Sequence, residues 1–143
     1  MLMLSRKVEY GLMALLHMDA TPSESVVSSK EIAEKCEFPV DLMGKVMQSL
    51  ARGSLIEAVH GARGGYRLVR DLDTISLGDV IKAIEGPVHL VRCQHDAEDC
   101  HKYSNCMVRE PLNQLRAQLD GFLHNISLGQ FRKQPTETCL AGG

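Results

Sequence analysis

Apolar positions return at helical spacing along much of the chain. Val8, Leu12, Leu15 and Leu16 lie on one face of a 3.6-residue turn from Ser5 to about Asp19, with Ser5 standing as an N-cap. A first helix is predicted there. After the loop TPSES, Ser28 or Ser29 precedes KEIAEKCEF, and Glu31 supplies the acid favoured in a first turn. A short second helix follows. Pro39 marks a turn, and VDLMGKVMQSLARGSLI sets Leu42, Val46 and Leu50 on one face, a third helix ending near Gly53. Next, IEAVHGARGGYRLVR holds two β-prone runs around a Gly-Ala-Arg-Gly-Gly tip, which predicts a hairpin. Ser76 caps LGDVIKAIEG, a fourth helix stopped by Gly86 and Pro87.

Beyond a cysteine-bearing loop, Val108, Leu112, Leu115, Leu119, Phe122 and Ile126 are spaced 4, 3, 4, 3 and 4, a seam suited to a helical partner. From Gln130 onward the chain is polar, proline-interrupted and ends in Gly-Gly, which predicts a poorly ordered tail. Helix, short helix, turn, helix and glycine-tipped hairpin, in that order, make a winged helix-turn-helix. The fold class expected is mainly α with a small β-hairpin wing and a long C-terminal helix for dimerisation.

Composition narrows the function. The 143 residues suit one domain, and 44% hydrophobic with 24% charged residues is ordinary for a globular chain. No apolar run approaches the ~18 residues of a membrane span, and the N-terminus lacks a basic-then-apolar leader, so a cytoplasmic protein is expected. A net charge of -2 excludes a globally basic nucleic-acid binder and leaves such contact to a local patch. The hairpin offers one: His60, Arg63, Arg67 and Arg70 follow one another with no acid between them. On the third helix Lys45 and Arg52 are the cations, so base reading there falls to Gln48 and Ser49.

Three of the five cysteines, Cys93, Cys100 and Cys106, fall within RCQHDAEDCHKYSNC. Gaps of six and five residues are wider than the two to four common between paired zinc ligands. An iron-sulfur cluster tolerates such a loop, because separate thiolates bind separate irons. A fourth ligand is then missing; His95, His101, Asp96 and Asp99 lie within the loop, and Glu9 stands outside it. Three reduced thiols or a thiol-disulfide switch would fit the same spacing. Cys36 and Cys139 stand apart, the first read as a packed residue and the second as an incidental tail thiol. No nucleophile-base pair, phosphate loop or carboxylate pair stands out, so the chain is not expected to be an enzyme.

The segments VEYGLMALLHM, GARGGYRL and ISLGDVIKAIEGPV, followed by the three-cysteine loop and a long helix, resemble the IscR/NsrR-type family of winged-helix regulators over about residues 1–128. The resemblance implies a homodimeric transcription factor, a repressor by expectation, on a palindromic DNA operator. It implies a 4Fe-4S or 2Fe-2S cluster on Cys93, Cys100 and Cys106 that senses iron-sulfur status, nitric oxide or redox state. Where the iron-sulfur branch has a histidine three residues after its third cysteine, this chain has Arg109, which cannot ligate iron. The nitric-oxide-sensing branch uses an acid of the first helix, and the matching position is Glu9. The domain plan is then residues 1–86 as the winged helix-turn-helix, 87–107 as the cluster-binding loop, 108–128 as the dimerisation helix and 129–143 as a flexible tail. The rival is a thiol-based redox or metal-binding module that does not depend on DNA.

Overall fold

The computed structural model describes residues 2–100 and 103–132. Helix α1 (Arg6–Ala20) starts at Ser5, whose hydroxyl accepts the Val8 amide at 3.3 Å. Helix α2 (Ser29–Cys36) starts at Ser28, which accepts the Glu31 amide at 3.0 Å. Each cap satisfies one of the amides that a helix start leaves without an intrahelical partner, so the serines set these boundaries. Glu37, in a left-handed conformation with φ 60°, turns the chain into α3 (Val40–Arg52). Tyr10 of α1 stacks on Phe38 of that turn with ring centroids 3.9 Å apart, which holds the helix-turn-helix against α1.

Strands β1 (Ile56–Val59) and β2 (Gly65–Leu68) pair antiparallel, Ile56 opposite Leu68 and Val59 opposite Gly65. The tip between them contains Gly61 at φ 128°, a conformation that glycine adopts without strain. Val27 adds a third, one-residue rung by exchanging two backbone hydrogen bonds of 2.8 Å with Tyr66. The wing is thereby tied to the loop before α2. Helix α4 (Leu77–Glu85) opens with a capping box: Ser76 accepts the Asp79 amide and Asp79 accepts the Ser76 amide, each at 2.9 Å.

The core gathers Leu15, Ile32, Met43, Met47, Leu50, Leu55, Ile75 and Val80, all fully buried, between α1, α3, α4 and the wing base. Among the described residues no helix is long and apolar enough to cross a membrane.

Helix α5 (Arg109–His124) departs from the seam expected of it. Leu112, Leu119 and Leu123 are half-buried, and Leu119 and Leu123 line an apolar groove of about 530 Å³ with Val8 of α1 and Ile81 of α4. Val108, Leu115 and Phe122, spaced by seven, remain 56%, 50% and 62% exposed. The 3.5-residue repeat thus covers two faces, one packed on the chain's own head and one open. Ile126 lies past the helix end and packs on the core.

The first residues of the expected tail belong to a short turn against the head. Leu128–Phe131 form a 3-10 turn capped by Ser127, and Leu128 is fully buried. A buried leucine explains why this segment does not follow its polar neighbours into solvent. Residues 133–143, with Cys139, lie outside the described residues.

Candidate nucleic-acid interface and cysteine loop

On α3 the apolar residues Met43, Val46, Met47 and Leu50 face the core, which leaves Asp41, Lys45, Gln48 and Arg52 exposed on the opposite face. Ser49 is half-buried and accepts a 3.2 Å hydrogen bond from Arg52 Nη2. The exposed face can therefore offer one point charge at Lys45, an amide at Gln48 and a guanidinium steadied by its neighbour.

The wing tip holds His60 and Arg63 in solvent, and Arg63 makes no hydrogen bond or ion pair with any described residue. Arg67 is not equivalent to it. The register sets Arg67 opposite Glu57, and its Nε donates to Glu57 Oε1. Arg70 donates to the Thr74 carbonyl and lies 3.9 Å from Asp79. No acid interrupts His60 to Arg70 in sequence, but the sheet sets one beside Arg67, because cross-strand neighbours are set by register and not by sequence adjacency. Of the arginines read together on the hairpin, Arg63 alone has its charge unopposed by a described residue.

Among its described residues, the loop from Gly86 to α5 contains three short 3-10 turns, Arg92–Gln94, Ala97–Asp99 and Tyr103–Asn105. Gln94, which sequence reading passed over, fastens it. Its Oε1 accepts the Leu90 amide at 2.7 Å, and its Nε2 donates to Leu112 O and Asn113 Oδ1, both at 3.1 Å. Only register along α5 could have revealed that role.

Cys93, Cys100 and Cys106 are each half-buried, and none is in a disulfide. Cys93 lines a shallow cleft of about 270 Å³ with Gln94, Arg109, Asn113 and Arg116. Arg109, at the start of α5, thus stands beside the first cysteine of the loop. Asp96 accepts the Glu98 amide at 2.9 Å and so serves as a turn cap, while His95 packs edge-on to His89. His101 and the Asp99 side chain lie outside the described residues. Glu9 is exposed in the first turn of α1. Among the described residues, no three histidine, cysteine or acidic side chains converge closely enough to hold a metal ion. The structure brings Cys93 and Arg109 to one cleft.

The family model described as an iron-dependent transcriptional regulator, Rrf2, matches residues 4–134. This chain belongs to the Rrf2 family. The HTH-type transcriptional regulator IscR of Vibrio vulnificus is 31% identical over 127 residues, 89% of this chain and 75% of that protein. CymR of B. subtilis, titled the global cysteine regulator, superposes with a TM-score of 0.67 at 27% identity, covering 92% of this chain and 96% of its own. IscR of T. potens superposes at 0.65 with 25% identity, covering 91% and 85%. The winged-helix fold is shared throughout. As an Rrf2 regulator the chain is a DNA-binding transcription factor, and these relatives are regulators rather than enzymes. Family membership therefore disfavours the rival module that ignores DNA.

Proposed function

We propose that this Rrf2 protein is a cytoplasmic, homodimeric repressor whose affinity for a palindromic operator is set by an iron-sulfur cluster on Cys93, Cys100, Cys106 and Glu9. One observation carries the reading most: three half-buried thiols outside any disulfide sit on a loop that Gln94 pins to α5. The donor chemistry fits the group, since thiolates are the usual ligands of such clusters. When bound, the cluster supplies a redox-responsive centre.

The chain's own residues supply the linkage. Cys106 lies three residues before α5, so any rearrangement that draws it toward Cys93 pulls on the helix start. Val108, Leu115 and Phe122 on α5 offer the stripe for the second subunit. A change in the pairing of two such helices alters the separation of the recognition helices, which must match ~34 Å between half-sites. Lys45 and Arg52 hold phosphates, Gln48 and Ser49 read base edges, and His60 and Arg63 engage the backbone at the wing. Arg67, already paired, has a weaker role there.

Arg109 offers no lone pair at neutral pH, and the fourth ligand is assigned to Glu9, rather than to His95 or His101, because the resemblance to the nitric-oxide-sensing branch puts an acid of the first helix in that role. In this reading Glu9 comes to the loop from α1 of the same or of the partner subunit.

A second reading is favoured by the likeness to CymR, titled a global cysteine regulator: a regulator that signals through its thiols without a cluster. Aerobic and anaerobic preparations compared by visible absorption, each then tested on DNA selected from a random pool, separate the two. Colour with a change in DNA affinity supports the cluster; a colourless anaerobic protein whose DNA affinity responds to thiol oxidation supports the second reading.

A further inference from the structure

The segment after α5 returns to the DNA-binding head. The Leu77 amide donates to Ile126 O and the Leu128 amide to Ile75 O, both at 2.8 Å, while the Ser127 hydroxyl reaches the carbonyls of Leu72 and Asp73. Leu128 is fully buried. A Cβ on Gly129 would stand 1.8 Å from Asp73 Oδ1, so a larger residue there would have to push the Asp73 carboxylate off its present place.

The strap ends at Arg132, on which three carboxylates converge. Its Nε and Nη2 donate to the two oxygens of Asp19 at 2.9 and 3.3 Å, Nη1 to Asp73 at 2.9 Å, and Nη2 to Asp71 at 3.2 Å. Asp19 lies in the last turn of α1, where the helix dipole disfavours an acid. Asp71 follows β2 by three residues and caps the turn Leu72–Thr74 through the Asp73 amide. The end of α1 and the base of the wing both contribute walls to a cleft of about 330 Å³, the first through Asp19 and Thr21 and the second through Leu68, Val69 and Asp71. Without the guanidinium, carboxylates on the two walls would repel.

We propose that Arg132 is a positioning residue for the wing: by bridging Asp19 to Asp71 and Asp73 it fixes the wing base to α1 and, through the strap, to the end of the dimer helix. Arg132 touches no DNA in this account; it sets where Arg63 stands. A planar fork engaging three carboxylates is a role that lysine fills only in part. The inference rests on the reading that the wing contacts DNA, and Arg63→Ala serves as the parallel test of that reading.

The experiment is amide hydrogen exchange and operator titration across salt concentrations on the full chain, with Arg132→Ala, Arg132→Lys and Arg63→Ala. For Arg132→Ala we expect faster exchange over residues 66–75 with α3 unchanged, and affinity about fivefold lower at an unchanged salt slope, the scale of a partly exposed ion-pair network. Arg132→Lys should fall between. A salt slope reduced by about one unit in Arg132→Ala would mean a direct phosphate contact and would overturn the proposal. So would unaltered exchange or unaltered affinity in Arg132→Ala while Arg63→Ala binds weakly. If neither variant loses affinity, the wing reading itself fails and takes this proposal with it.

Discussion

Replacing Phe122 with alanine should weaken self-association without unfolding the head. Full burial of a large apolar side chain is worth ~1.5–3 kcal/mol relative to exposure. Phe122 still shows 62% of its surface to water in one chain, so about half of that sum, ~1–1.5 kcal/mol, is left for a partner to supply. Two-fold symmetry places the residue in the contact twice, giving ~2–3 kcal/mol per dimer. That corresponds to a dimer Kd raised about 30- to 150-fold. Sedimentation velocity over a dilution series reads it directly, and Leu115→Ala, at 50% exposure, should give a smaller shift of the same sign. Leu119→Ala is the control: it faces the groove with Val8 and Ile81, so it should lower Tm more than it lowers association. A wild-type chain that is monomeric at tens of micromolar would refute the reasoning. An unchanged Kd in both Phe122→Ala and Leu115→Ala would do the same.

Other outcomes follow from the same structure. Arg63→Ala should lower the salt slope of DNA binding by about one unit, while Arg67→Ala, already neutralised by Glu57, should leave it nearly unchanged; filter binding across salt concentrations checks both. Glu9→Ala should bleach the anaerobic protein, whereas His95→Ala should not; the reverse pattern would place the fourth ligand in the loop. The Asp71 carboxyl is held below the usual aspartate range by the Asp73 amide first and Arg132 second. A folded value below the unfolded one stabilises the native strap above the unfolded pKa, and the contribution fades as pH falls through the lowered value. The protection of amides 126–132, taken relative to the intrinsic exchange rate at each pH, should therefore fall only in acid, below the ordinary aspartate range, and stay level from neutral to alkaline pH.

Helix starts were legible because each needs a short, local signal: Ser5, Ser28 and Ser76 sit where an orphan amide must be accepted. The wing was legible from β-prone runs around glycine. Its charge pattern was not, since Glu57 meets Arg67 only once the register is fixed. The seam of α5 was visible as a period, but period alone does not separate the face on Val8 and Ile81 from the face left in solvent. Arg132 was invisible for a different reason. Its partners Asp19, Asp71 and Asp73 lie 59 to 113 positions away, and no local preference encodes an ion pair of that span. Gln94 escaped for the same cause, its hydrogen bonds reaching 18 and 19 residues ahead. The candidate DNA face of α3 followed from amphipathicity, whereas convergence of the cysteines depends on a loop whose path the spacing leaves open.

The most direct test of cluster control is iron, acid-labile sulfide and operator affinity measured on one anaerobic preparation before and after cluster removal, alongside Cys106→Ala. Cluster control requires a coloured wild-type protein carrying both elements, a colourless variant, and an affinity for selected DNA that differs at least tenfold between loaded and stripped wild type, a change of ~1.4 kcal/mol. An iron-free anaerobic protein, or equal affinities in the loaded and stripped forms, would contradict it.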